Sequence, residues 1–317
     1  MIDVSIVIVC MNNLKNLYPC LESIRKFTPQ TTYETFVVAY LFSQENLEKL
    51  KADFPWVTFI ESNEIRGFSE NNNLALRQAR GKYCFVLNDD TEMKMPVIDK
   101  LVETIESLPE DVAVVSPRAI YGNGDFQSCG RDVHTTWKSI LSCLHLYNER
   151  RFLNKFKDAK GVFETGDVVG AFFLIKTDVF KQIGFFDERF FFCPEDLAVG
   201  YELRKRGLKH YVNADVVITH YEGMSGGKTF SKTRMATAPS GNRGKLIFYS
   251  HGNDLLYVAL AVISALSFIP NMTYHYIRGL FQSSPNTDQM YAICDWRTFL
   301  SCFSRKTPKE IFLKYYH

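Results

Sequence analysis

Val4 to Val9 is an apolar, β-branched run, the pattern of a strand buried on both faces of a parallel sheet. Asn12-Asn13 breaks it, and Leu14, Leu17, Leu21 and Ile24 then recur at helical spacing. The two periods go on alternating. Thr35 to Leu41 predicts a strand, Gln44 to Phe54 a helix, Val57 to Ile60 a strand, and Asn71 to Arg80 a helix closed by Gly81 in a C-cap position. Tyr83 to Leu87 predicts the next strand. Ile98, Leu101, Val102, Ile105 and Leu108 then mark an amphipathic helix, and Val112 to Val115 a strand. Alternation of this kind predicts an α/β domain, with a Rossmann-like, mostly parallel sheet flanked by helices.

Residues 121–165 change character, with loop-forming Gly122, Asn123, Gly124 and Gly130, and are expected to pack beside the sheet. Val168 to Ile175 predicts a strand, and Thr177 an N-cap for a short helix ended by Gly184. Phe185 to Pro194 is an aromatic-rich loop, Glu195 to Arg206 a helix stopped by Gly207, and Val216 to Thr219 a strand ending at His220. Residues 223–244, rich in Gly, Ser, Thr, Lys and Arg, are expected to be mobile. Leu255 to Ile269 is free of charge. A helix of that length is about 22 Å long, short of the ~30 Å hydrocarbon core, so it is not expected to span a bilayer. It suits either a buried helix or one lying in a membrane interface, with aromatic and basic residues such as Tyr274, Tyr276 and Arg278 flanking it. These shifts divide the chain into a first domain, residues 1–235, and a helical C-terminal region, residues 236–317, with candidate membrane contact through 255–281.

Composition narrows the partners more than the fold. With 317 residues, 46% hydrophobic and 23% charged, the chain can bury a sizeable core. A net charge of +2 is too small to argue for nucleic acid. The eight cysteines are scattered without a CxxC pair and read as reduced, mostly buried thiols. Met1-Ile2-Asp3 leads straight into a strand without a basic segment or a long apolar one, so a cytoplasmic location is expected.

The stretch that carries chemistry is Asn88-Asp89-Asp90, at the end of the strand that finishes in Leu87. Adjacent carboxylates there suit a hard divalent cation, and the carboxyl ends of strands are where open α/β sheets bind ligands. A solvated turn explains the same three residues. Other pieces flank it in order: Asn12-Asn13, Gly67 to Asn73, Gly184-Phe185-Phe186-Asp187-Glu188 through Glu195-Asp196, and His220. With this series the chain, over about residues 3 to 225, resembles the glycosyltransferase family 2 enzymes of GT-A fold, and most of all their rhamnosyltransferase-like branch.

The resemblance implies an inverting, metal-dependent hexosyltransferase. Its donor would be a nucleotide-diphosphate sugar and its acceptor a hydroxyl of a polysaccharide or lipid-linked oligosaccharide, with rhamnose or a related hexose transferred. It places Asp90 on Mg²⁺ or Mn²⁺, with His220 as a second group able to reach the metal or diphosphate, and Asp89 near the ribose or diphosphate. Asp196 matches the catalytic base, with Glu195 the alternative. Asn12, Asn73, Arg66 and Gly170 fall on the donor side. The acid that many members carry at the end of the second strand is missing, and Tyr40 stands there as a candidate stacking platform. An acidic first turn, a capping Asn and a packing Gly explain several of these residues without any ligand. A nucleotidyltransferase would also use an acidic sheet edge, but it wants a basic Gly-rich loop that Cys10 to Lys15 lacks. A non-catalytic nucleotide- or glycan-binding module would tolerate the missing acid yet has no need of Asp90, Asp196 and His220.

Overall fold

The computed structural model describes residues 2–147, 156–221, 232–282 and 287–316. The chain forms two compact units: Met1–Val133, Glu149–Asp187 and Asp196–Gly226 make the first, and His134–Asn148, Glu188–Glu195 and Gly227–His317 the second.

The first unit is built on one ten-stranded sheet. Strands β1 (Val4–Cys10), β2 (Tyr33–Tyr40), β3 (Val57–Ser62) and β4 (Tyr83–Asn88) pair in parallel in the order β3-β2-β1-β4. This is the part that the alternation predicts. Strand β9 (Phe172–Lys176) then enters antiparallel between β4 and β6 (Val112–Ile120). Beyond it β10 (Lys209–His220) runs parallel to β6, and β5 (Thr91–Met93) closes the edge antiparallel to β10.

β1 explains its own composition. Ile6 and Ile8 belong to a core on one face, with α1 (Leu14–Phe27) and α4 (Val97–Ser107). Val7, between them, belongs to a second core on the other face, with α3 (Phe68–Leu76), α6 (Thr177–Gln182) and α7 (Glu195–Lys205). Helix α2 (Gln44–Asp53) adds Leu50 to the first core.

Several expectations change here. Residues 121–165 do not lie wholly beside the sheet, because β7 (Phe126–Ser128) pairs with β6 and β8 (Val162–Thr165) with β10. The strand expected from Val168 begins only at Phe172. Helix α3 starts at Phe68 rather than Asn71, since the Glu70 side chain accepts from the Gly67 backbone N at 3.0 Å and nucleates the first turn earlier. It also ends at Leu76, so Gly81 is not its C-cap. A Cβ on Gly81 would stand 2.5 Å from Ser5 N, so close backbone approach to β1 demands glycine there.

The second unit is helical. Its helices are α5 (Thr136–Cys143), α8 (Lys232–Ser250), α9 (Asp254–Gly279), α10 (Thr287–Cys302) and α11 (Pro308–Tyr316). α8 packs on α9, α10 and α11. The boundary expected at 235/236 would cut α8 in its first turn. Of the segment expected to be mobile, 223–231 lies outside the described residues, and the rest is α8. Its glycines have a packing reason: a Cβ on Gly244 would lie 2.6 Å from the Cys193 carbonyl. The length argument for the apolar C-terminal helix also fails. Pro270 lies inside α9 without ending it, and the 26-residue helix is about 39 Å long, enough in length and composition to cross a bilayer.

All eight cysteines are free, and all but Cys193 are buried, as their scattered spacing led us to expect.

Candidate active site

Strand direction gathers the site. β2, β1 and β4 are parallel, so Tyr40, Asn12 and Asp89-Asp90 share one edge of the sheet. β9 runs against β4 and pairs Phe172 with Leu87, which brings Gly170, just before β9, to the same edge. β10 runs with β6 and against β9, so His220 also finishes there. Register completes the approach: β10 pairs His220 with Thr91, and Tyr221 N donates to the Asp90 carbonyl at 2.8 Å.

That register sets His220 Nε2 3.2 Å from Asp90 Oδ1. Asp89, Asp90 and His220 are all buried, at 6%, 6% and 7% exposure. On the far side of the ring, His220 Nδ1 lies 3.1 Å from Gln127 Oε1. Nδ1 thus faces a carbonyl oxygen, and Nε2 is the nitrogen turned toward Asp90. A cation at this point would be reached by both Asp90 Oδ1 and His220 Nε2. The donor set fits a divalent ion that takes carboxylate and imidazole and leaves positions open for phosphate oxygens. It is not a closed cage, for no group of three His, Cys, Asp or Glu able to hold a metal occurs among the described residues. Cys10 is buried beside Asp89, and burial, followed by the charge of Asp89, pushes its thiol far above its ordinary value. It is an inert neighbour rather than a nucleophile.

A cavity of about 160 Å³ opens beside Asp90, lined by Lys15, Asn16, Pro19, Thr91, Glu92 and Tyr221. It has room for a phosphate or a sugar ring, less than the several hundred Å³ that a whole nucleotide sugar needs.

At the end of β2, Tyr40 and Arg66 meet: the Arg66 backbone N donates to Tyr40 Oη at 3.4 Å, and its guanidinium reaches Ser62 Oγ at 3.1 Å and Glu64 at 2.8 Å. Asn12, in a left-handed conformation (φ 47°), accepts from Ser43 N and Asn46 Nδ2 and ties the loop after β1 to the loop after β2. Asn73 departs from expectation. It is 1% exposed, and its amide donates to the Phe186 carbonyl at 2.8 Å and accepts from Phe186 N at 3.2 Å. It clips α3 to the aromatic loop.

The acidic pair opening α7 diverges. Glu195 accepts from Cys193 N at 2.7 Å. Asp196 Oδ2 accepts from Arg131 Nη2 at 2.7 Å and from Gly170 N at 3.3 Å, and its Oδ1 from Leu197 N at 2.7 Å. Gly170 was expected to lie close to the donor sugar, but its bareness serves Asp196, whose Cβ would sit 3.0 Å from an added methyl group.

Behind Asp196 lies a group that the motifs do not disclose. Arg204 Nη1 pairs with Asp167 Oδ1 at 2.6 Å, and Asp167 is fully buried. Burial pushes the Asp167 carboxyl up to about 6, against the opposing pull of Arg204 and Arg131. Buried His210 is pushed down to about 3, by burial first and then by the same two arginines. One signal was legible: Asp196, Gly200 and Arg204 fall at intervals of four on one helix face. Arg131 and Asp167, in distant loops, left none.

Comparison with known proteins identifies the family. The sequence profile described as Glycosyl transferase family 2 matches residues 5–184, more than half of the chain. The chain belongs to this family and is a glycosyltransferase. The O-antigen biosynthesis protein RfbC of Myxococcus xanthus is 28% identical over 209 residues, 66% of this chain but only 15% of that much longer protein. Among solved structures, GalNAc-T7 with UDP, GalNAc and Mn²⁺ superposes with a TM-score of 0.54 at 17% identity, over 69% of this chain and 44% of that one. The mannosyltransferase PcManGT of Pyrobaculum calidifontis, in complex with GDP-Man and Mn²⁺, gives 0.52 at 14%, over 94% and 86%. TarS of S. aureus gives 0.53 at 14%, over 98% and 82%. At such identities the likeness concerns the fold, which is GT-A.

Proposed function

We propose that this chain transfers a hexose, rhamnose or a close relative, from a nucleotide-diphosphate sugar to a hydroxyl of a surface polysaccharide or lipid-linked oligosaccharide, with inversion. The observation that carries the reading is the buried Asp90–His220 contact of 3.2 Å at the carboxyl end of β4. Asp90 and His220 would hold Mg²⁺ or Mn²⁺, which supplies positive charge beside the leaving diphosphate. Asp89 lies next to them for the ribose or diphosphate, and Tyr40 with Arg66 offers an aromatic face and a guanidinium to the nucleotide. Asp196 takes the proton from the attacking hydroxyl, its carboxylate oriented by Arg131, Gly170 N and Leu197 N. RfbC, an O-antigen protein, supports the polysaccharide acceptor, and the UDP and GDP-Man complexes with Mn²⁺ support the donor class.

Calorimetry of UDP- and GDP-sugars tests this. The expected result is binding that strengthens with Mn²⁺ in the native protein and loses that dependence in Asp90→Asn. Metal-independent binding of every nucleotide would defeat the metal assignment.

The same reading places the enzyme in the cytoplasm, peripherally on the inner face of the membrane. It is supported by α9, whose exposed stripe of Leu255, Val258, Val262, Leu266 and Ile269 leads to exposed Tyr274 and Tyr276, with Arg278 beside them. Full-length protein should float with anionic liposomes, and a chain lacking 251–317 should not. Failure of the full-length protein to float, even with anionic lipid, rules membrane contact out.

A further inference from the structure

The charged group behind Asp196 needs a reason. Its members alternate in sign: Asp196, Arg131, Asp167, Arg204. Arg131 is fixed through its backbone, N to the Asp167 carbonyl at 2.8 Å and carbonyl from Asp167 N at 3.0 Å. Its guanidinium then spans from the Val168 carbonyl at 2.5 Å to Asp196 at 2.7 Å. Only 12% of the Arg131 side chain and 1% of that of Asp167 is exposed.

As a mere brace between α7 and the sheet this is a poor choice, because apolar residues of similar volume would hold the helix without desolvating four charges. The helix also gives up a side chain to make room. A Cβ on Gly200 would lie 1.6 Å from Asp167 Oδ1, so only glycine lets Asp167 press against α7 one turn beyond Asp196. Glycine in mid-helix is itself unfavourable. Two unfavourable choices meet one turn from a carboxylate whose lone pairs must point one way. A lone Asp at a helix start rotates about two side-chain bonds, whereas three donors select one orientation.

We propose that Arg131 is a positioning residue for Asp196, and that buried Asp167, shared with Arg204, holds Arg131 to that task. The inference rests on Asp196 being the base. It adds a requirement for the chemical step that donor and metal binding do not share.

The test is single-turnover and steady-state kinetics with Mn²⁺ and whichever UDP- or GDP-sugar gives the largest thermal shift, reading nucleoside diphosphate released. Enzyme in excess keeps the residual rate of Asp196→Asn measurable. Arg131→Gln should lower kcat by about 10- to 100-fold, the scale of a misplaced catalytic group, with donor KM little changed. Arg131→Lys, which keeps the charge but not the span to Val168, should recover part of the loss and covers the case in which the Gln variant folds poorly. Asp167→Asn should lower kcat in the same direction. In an Asp196→Asn background, Arg131→Gln should cost nothing further, since no base remains to position. An equal loss in both backgrounds, or a loss confined to KM, overturns the proposal. If Asp196→Asn leaves kcat intact, the assignment of the base fails. If Asp196→Asn abolishes turnover while Arg131→Gln does not affect it, the base stands and the positioning role alone falls.

Discussion

The edge of the sheet holds two corners made of similar ingredients and put to opposite use. At one, Asp89 and Asp90 are buried, and His220 Nε2 stands 3.2 Å from Asp90 Oδ1. At the other, Asp196 and Asp167 are matched by Arg131 and Arg204. The first turns a carboxylate and an imidazole toward one point, a donor set that suits a divalent cation. The second is balanced within the protein, so no external ion is needed, and its hydrogen bonds hold a carboxylate in one orientation. Buried charge must be compensated by something, and at the second corner the protein's own arginines supply it.

The comparison breaks most easily at the metal corner. Asp90→Asn keeps shape and removes charge, and activity should fall by about 10³-fold with the fold intact, in line with losing several kcal/mol of transition-state stabilisation. Full activity of that variant at limiting Mn²⁺ would remove Asp90 from the site. At the balanced corner, Asp196→Asn should depress kcat by about 10²- to 10⁴-fold, the range for general-base catalysis, while donor affinity holds. Glu195→Gln, measured alongside, should be far milder because that carboxylate is bonded to Cys193 N.

A third effect concerns stability and sharpens the idea of balance. The folded pKa of Asp167 is raised to about 6, so its contribution is full below the usual carboxylate value and is lost as pH rises through about 4 to 6. The folded pKa of His210 is depressed to about 3, so its contribution is full above 6.5 and is lost as pH falls toward 3. The two slopes oppose each other between pH 4 and 6. His210→Asn removes one of them, so relative to the native protein the variant should lose stability as pH rises across this window, by at most about 1.4 kcal/mol per pH unit. Urea unfolding at several pH values reads this directly, and parallel curves for the two proteins would contradict it. The smallest effect belongs to the nucleotide side. Tyr40→Ala should weaken nucleotide diphosphate binding by about 1 kcal/mol, the scale of base–aromatic stacking, and unchanged affinity by calorimetry would dismiss the stacking role.

Local pattern reached as far as local causes extend. The β-branched run at Val4–Val9, the helical spacing after Leu14 and the acidic end of Tyr83–Leu87 are determined by neighbours in the chain, and they disclose the α/β class, the first four strands and the Asp89-Asp90 edge. The ordered motifs disclose His220 and Asp196 as candidates. Tertiary structure decided what distance in the chain conceals. Register between β10 and β5 alone sets His220 against Asp90. The two-way amide clip to Phe186 ties Asn73 to a loop 113 residues further along the chain. The glycine at 81 answers to Ser5, that at 200 to Asp167, and that at 170 to Asp196. The apolar run Leu255 to Ile269 marks only part of α9, which runs on through Pro270 to Gly279. The physical reason is common to all of these. Periodicity reports which face of an element is buried, whereas hydrogen-bond partners and charge balance are settled only when distant segments share one low-dielectric space.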